Sequence, residues 1–269
     1  MLYASGQAWH APHLRAAARR LPDEDWEAIL AAMSKSSPPP KNRGGELRAR
    51  SGTGGSGEGS IEGLGLVVIG RNEGERLRRC LASVCARTRH MVYVDSGSTD
   101  GSPELARSFG VHVVELEMSQ PFTAARARNA GFRALYERWP DLSFVQFLDG
   151  DMEVLDGWLD AAVAFMLANE HVVAFCGMRQ ERYPDRNVYH RIVDVEWRLG
   201  ESGETDAFGG DVMVRADAFA RVGGYDPRVI AAEDNELALR FRRAGGTVFR
   251  IDQPSTLHDV AMSHPLQWW

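Results

Sequence analysis

LGLVVIGRNEGERLRRCLASVCART, residues 64–88, changes its periodicity partway through. The first seven residues are apolar almost without a break, as a strand covered on both faces should be. After Gly70 the apolar positions are Leu77, Cys80, Leu81, Val84 and Cys85. That is the i, i+3, i+4, i+7, i+8 stripe of one helix face, and it places both cysteines in the core. A buried strand followed at once by an amphipathic helix is one unit of an α/β sheet with mostly parallel strands.

The unit recurs downstream. HMVYVD (90–95), VHVVELE (111–117), LSFVQFL (142–148) and VVAFCGM (172–178) read as strands. Between them SPELARSF (102–109), TAARARNAGFRALYERW (123–139) and GWLDAAVAFMLANE (157–170) read as helices. GGDVMVRADAFARVGGYD (209–226) and EDNELALRFRRAGGTVFRID (233–252) follow as strand, helix, helix and strand, with glycine pairs at the ends.

Upstream the pattern is absent. LPDEDWEAILAAM (21–33) suits a short helix with Trp26, Ile29, Leu30 and Met33 on one face and Asp23 as its cap. The Pro, Gly and Ser content of residues 34–63 cannot bury enough apolar surface to order itself. The expected organisation is a partly helical extension over 1–50, a Gly/Ser-rich linker over 51–63, engineered or natural, and the α/β domain over 64–269.

Composition narrows the function. The chain has 269 residues, 44% hydrophobic and 25% charged, enough for a sizeable core. Its net charge of −6 argues against nucleic-acid binding, which needs a strongly basic face. Three cysteines without CxxC spacing suggest neither a zinc site nor a disulfide framework. No stretch reaches the roughly 18 apolar residues of a membrane span, and the first residues lack a signal peptide's apolar run, so a cytoplasmic protein, or one at the inner face of the membrane, is expected.

In open parallel sheets ligands bind beyond the carboxyl ends of the strands, and the polar clusters fall there. In FLDGD, Asp149 and Asp151 flank Gly150. Side chains two apart on an extended chain share a face, so the pair can meet Mg²⁺ or Mn²⁺ on a diphosphate, with Gly150 leaving room for the ligand. An Asp-Gly turn is the competing reading. In DSGSTDGS (95–102), Asp95 and Ser96 can bond a base or ribose, while Asp100 or Ser102 can cap the helix begun by Pro103.

Arg126 and Arg128 can meet a phosphate or remain solvated. Acidic residues opening the helix at 233 suit its dipole, and one of them can serve as general base. His258 either completes a metal shell or is a hydrogen-bonded structural histidine.

LVVIGRNEGERLRRCLASV, VYVDSGSTDGS, ARNAG, FLDGDMEV, GGDVMVRADAFARVGGYD and AEDNELALRFRRAGG together, in this order, resemble family 2 glycosyltransferases of the GT-A fold. The resemblance implies a Rossmann-like sheet and inverting transfer of a sugar from a nucleoside diphosphate, most often UDP-linked, to a hydroxyl acceptor, with Mn²⁺ or Mg²⁺. By motif, Asp149 and Asp151 bind the metal-diphosphate and ribose, Asp95 with Ser96 holds the nucleoside, and Arg71, Asn72 and Glu73 line that pocket. Gly150 and Gly210 belong to the donor site, and Arg128 to the nucleotide. Asp234, beside Glu233, is the base.

Ser96 stands where many relatives carry a second aspartate. QWW (267–269) only partly echoes the QxxRW of processive members, which implies single addition, and similar proteins commonly continue past this point. A nucleotidyltransferase is the rival enzyme, but GRNEGERLRRC lacks the lysine of its loop. A non-catalytic binding module is the other rival, against which the DxD and ED pairs are both intact.

Overall fold

The computed structural model describes residues 59–264. The helix expected at 21–33, most of the linker and the terminal QWW lie outside the described residues.

The elements begin with β1 (Leu64–Gly70), α1 (Glu75–Val84), β2 (Met91–Asp95), α2 (Ser102–Ser108), β3 (His112–Glu115), α3 (Ala124–Arg138) and β4 (Phe144–Asp149). They continue with β5 (Met152–Val154), α4 (Trp158–Ala168), β6 (Val172–Glu181), α5 (Val188–Arg198), β7 (Gly203–Glu204), β8 (Met213–Arg215), α6 (Ala216–Arg221), α7 (Glu233–Arg243) and β9 (Thr247–His258). One sheet takes the order β3-β2-β1-β4-β8-β6-β9-β5, with β7 on β9.

The expected parallel character is carried by β3-β2-β1-β4 and by the β6–β9 pair. Strand β8 enters antiparallel to both of its neighbours, β4 and β6, and joins the two halves.

Strand period decides which face each residue covers. Val67, Ile69, Val145 and Phe147 point into one core, shared with Phe132, Phe219, Leu237 and Phe241 of α3, α6 and α7. Leu64, Leu66, Val68, Phe144 and Leu148 point into the other, against Leu77, Cys80, Leu81, Trp158 and Met166 of α1 and α4. Each such side chain, fully buried, contributes roughly 1.5–3 kcal/mol of transfer free energy.

The α1 stripe holds at Leu77, Cys80, Leu81 and Val84, but Cys85 corrects the expectation: it is exposed. The helix ends at Val84, and Cys85 lies one residue beyond it as the C-cap.

One close approach fixes the geometry of the site. A Cβ on Gly131 would lie 2.3 Å from Val67 Cγ1, so α3 rests directly on β1. Arg128, three residues earlier on the same helix face, is thereby carried to the end of the sheet.

Candidate active site

Strand β4 ends at Asp149, and Gly150-Asp151 is a turn into β5. The turn and the paired carboxylates, alternatives in the sequence, are therefore one structure. It sends the two carboxylates to different partners: Arg128 Nη2 donates to Asp149 Oδ1 at 2.9 Å, and His258 Nε2 lies 3.1 Å from Asp151 Oδ2. Residue 258 ends β9 and stands opposite Met152 of β5, which explains how a residue so distant in sequence reaches the turn.

Arg128 also donates to Glu233 Oε1 at 2.7 Å, and its Nη1 is 3.5 Å from Asp234 Oδ1. It is only 3% exposed, whereas the Asp149 side chain is 32% exposed. One buried guanidinium thus gathers three carboxylates from β4 and the first turn of α7. Buried and paired with all three, Arg128 orders the acids.

Ala232, immediately before Glu233, has φ +62°, a left-handed conformation unusual for alanine that sits at the start of the acidic turn. Asn129, fully buried, exchanges two hydrogen bonds with the Tyr225 backbone, fixing the segment that leads to α7.

Gly210 packs against this pair: a Cβ there would lie 2.4 Å from Asp149 Oδ2 and 2.6 Å from Arg128 Nη2. Gly150 has another reason than the one expected. A Cβ on it would meet Glu73 Cγ at 3.0 Å and the Ile69 carbonyl at 3.3 Å, so the space it leaves is filled by Glu73, not by a ligand.

The electrostatics follow from burial. Asp234 is pushed up to about 6 by desolvation, with Glu233 and Asp149 adding to the rise and Arg128 opposing it. Glu73 is pushed up to about 7 by burial and then by the Asp151 charge, against Arg76. Arg76 Nη2 lies 2.7 Å from Glu73 Oε2, but out of hydrogen-bond alignment. For Asp151 burial also opposes ionisation, yet the His258 ring and Arg76 outweigh it and hold the carboxyl below its usual range.

The residues expected at the nucleoside are tied into one loop. Asp95 is buried, and its carboxylate accepts from Gly97 N, Ser98 N and the Tyr93 hydroxyl, which organises that loop. Ser96 is fully buried too, its Oγ without a partner. Asn72, at φ +58°, clips two loops together: its N–H donates to Ser98 Oγ and its Oδ1 accepts from Thr99 N. Arg71 remains exposed beside them.

Asp100 accepts from Ser102 N and Oγ just before α2, whose N-cap is Gly101, so neither Asp100 nor Ser102 is the capping residue expected.

Among the described residues no three His, Cys, Asp or Glu side chains converge as a metal cage. A Mg²⁺ or Mn²⁺ carried by a nucleotide needs only one or two protein groups. Asp151 Oδ1 is buried without a hydrogen-bond partner, Asp149 presents an open carboxylate, and His258 adjoins Asp151. This donor set fits such an ion.

Sequence reading missed a second charged cluster. Arg179 of β6 is paired with Asp211, whose other oxygen accepts from Thr256 Oγ1 at 2.6 Å, and the Arg179 guanidinium lies 5.2 Å from the centre of the Trp197 ring. Single Arg, Asp and Trp residues carry no motif; Asp211 alone lay within a quoted stretch, after Gly209-Gly210.

With this geometry in hand, comparisons with known proteins are specific. The model described as Glycosyl transferase family 2 matches residues 66–222, and one described as N-terminal domain of galactosyltransferase matches 197–265. A TPR repeat-containing protein of Synechococcus elongatus is 30% identical over 48% of this chain and 30% of its own length. Glycosyltransferase AglE of Haloferax volcanii is 26% identical over 75% of this chain and 66% of its own.

The solved structure of mannosyltransferase PcManGT from Pyrobaculum calidifontis, in complex with GDP-Man and Mn²⁺, shares the fold with a TM-score of 0.56 at 20% identity. That match covers 76% of this chain and 59% of PcManGT. The chain thus spans less than two thirds of each of these three proteins.

Proposed function

This chain belongs to glycosyl transferase family 2 and has the GT-A fold, and from that premise we propose that it is an inverting, metal-dependent glycosyltransferase. It takes a sugar from a nucleoside-diphosphate donor, UDP-linked, and joins it to a hydroxyl acceptor. The observation that carries the reading is Asp234: a carboxylate pushed up to about 6, at the head of α7 and one guanidinium away from Asp149. A general base works best with a pKa near the operating pH, being mostly ionised yet more basic than an ordinary aspartate.

Asp149, Asp151 and His258 would hold Mn²⁺ or Mg²⁺, which when bound neutralises charge building on the diphosphate. Arg71, exposed at the end of β1, meets the nucleotide, while Asp95, Ser96 and Asn72 shape the loop it lies against. Arg128 and Glu233 hold Asp234 in place, Gly210 leaves room for the Arg128–Asp149 pair, and Glu73 supports the Gly150 turn. Asp234 removes the acceptor's proton as its oxygen bonds the anomeric carbon. The bond from that carbon to the diphosphate breaks on the opposite face, the diphosphate keeps the electron pair, and the anomeric carbon is inverted.

Support for a nucleoside-diphosphate donor and Mn²⁺ comes from PcManGT, of the same fold, solved with GDP-Man and Mn²⁺, while UDP as the nucleotide rests on the sequence resemblance. Asp234→Asn tests the reading against a panel of UDP- and GDP-sugars with Mn²⁺. Donor binding, followed by thermal shift, should persist while release of nucleoside diphosphate falls about 10²-fold or more. Undiminished turnover would remove Asp234 as the base.

A further inference from the structure

A metal-binding histidine ordinarily has its second ring nitrogen held by a carboxylate or a backbone carbonyl, which fixes the ring. In His258 that nitrogen is Nε2, 3.1 Å from Asp151 Oδ2, while Nδ1 is buried with no hydrogen-bond partner. A single hydrogen bond leaves the plane of the ring free to turn, so packing must set it.

Trp197 packs against that ring. The two ring centres are 4.7 Å apart at 62°, an edge-to-face contact of the kind aromatic pairs favour. Trp197 is held in turn. The Arg179 guanidinium lies over its ring, Asp211 pairs with Arg179, and Thr256 donates to Asp211. Thr256 and His258 are two residues apart on β9, so both project from the same side of that strand. The chain of contacts therefore closes on itself, from His258 through Trp197, Arg179 and Asp211 back to the strand that carries His258.

Helix α5, which supplies Trp197, is itself firmly docked. Asn187 caps it by accepting from Tyr189 N and His190 N, and the buried His190 ring is 2.9 Å from Glu181 Oε1. A tryptophan on a fixed helix, braced by a buried ion pair, is a rigid wall for an imidazole.

We infer that Trp197 is the positioning residue for His258, fixing by ring packing the plane that its single bond to Asp151 leaves free. This rests on the proposal that His258 and Asp151 hold a divalent ion. It assigns Trp197 no contact with substrate.

The test follows the metal itself. Mn²⁺ is titrated into the protein with UDP, and separately with GDP, while free Mn²⁺ is read by electron paramagnetic resonance and tryptophan emission is recorded in parallel. Trp197→Ala should weaken Mn²⁺ binding about tenfold or more, the usual scale for losing a residue that orients a metal ligand. Trp197→Phe keeps an aromatic edge and should stay within about threefold.

Mn²⁺, a paramagnetic short-range quencher, should dim wild-type emission, and Trp197→Phe should lose most of that quenching. The emission arm holds even if the alanine variant folds poorly. Unchanged affinity in Trp197→Ala, or equal quenching in Trp197→Phe, overturns the inference. If His258→Ala still loses Mn²⁺ in that case, the metal reading survives alone. No Mn²⁺ uptake by the wild type with either nucleotide removes the metal reading and this inference together.

Discussion

With Asp234 as the proposed base, acting through its carboxylate, turnover should fall about tenfold for each pH unit below about 6 and level off above it, a profile measurable as donor turnover from pH 4.5 to 8. Burial raises its folded value above the ordinary 3.8, so the folded state holds an extra proton between about 4 and 6. The stabilisation tied to that proton is complete below the ordinary value and is lost as pH rises through about 6. Denaturant midpoints of Asp234→Asn should lack this component.

Gly210 is sensitive for a steric reason. The added methyl of Gly210→Ala falls within 2.4 Å of Asp149 Oδ2 and 2.6 Å of Arg128 Nη2, neither of which can move without breaking the ion pair. A loss of about 1–3 kcal/mol in urea unfolding is expected, with a drop of about 100-fold in kcat/KM.

Among the elements, β1 lies where its apolar run placed it, at 64–70. Helix α3 starts after Thr123, which accepts from Arg126 N, and α7 starts at the acidic Glu233 turn. These carry local signals: an unbroken apolar run, a capping hydroxyl, acids in a first turn. Helix α5 carried none that sequence reading used. Val188, Ile192 and Val195 recur at i, i+4 and i+7, but they are β-branched, weak helix formers, and this stripe is exposed, opposite the buried His190 and Val193.

A second sign was Asn187. It caps α5 and also donates to the Met262 carbonyl at 2.9 Å, tying the helix to the chain after β9. Asn187→Ala should cost about 1–2 kcal/mol in urea unfolding, and Asn187→Asp, which keeps the cap, should recover part of it.

At the scale of the molecule, the α/β character was legible because each strand–helix unit writes its own period. The path of the sheet was not. Nothing local in GGDVMV says that β8 runs antiparallel between two parallel groups, and β5 and β7, three and two residues long, are too short for any period. The site follows the same rule. Asp149, Asp151, Glu233 and Asp234 stood out as pairs of acids at element ends, whereas Arg179, Asp211 and Trp197 become neighbours only once β6, β8 and α5 are assembled.

The Gly150 turn joins two distant parts of that sheet. Asp149 ends β4, within the sheet, while Asp151 leads into β5 at the edge, whose one strand neighbour among the described residues is β9. A chain emerging from a ribosome brings β4 beside β1 while β9, residues 247–258, is still unmade. Until that strand arrives, β5 has no ladder and Asp151 has no histidine. Two aspartates separated by a single glycine are therefore completed at different stages of synthesis, Asp151 only once β9 docks.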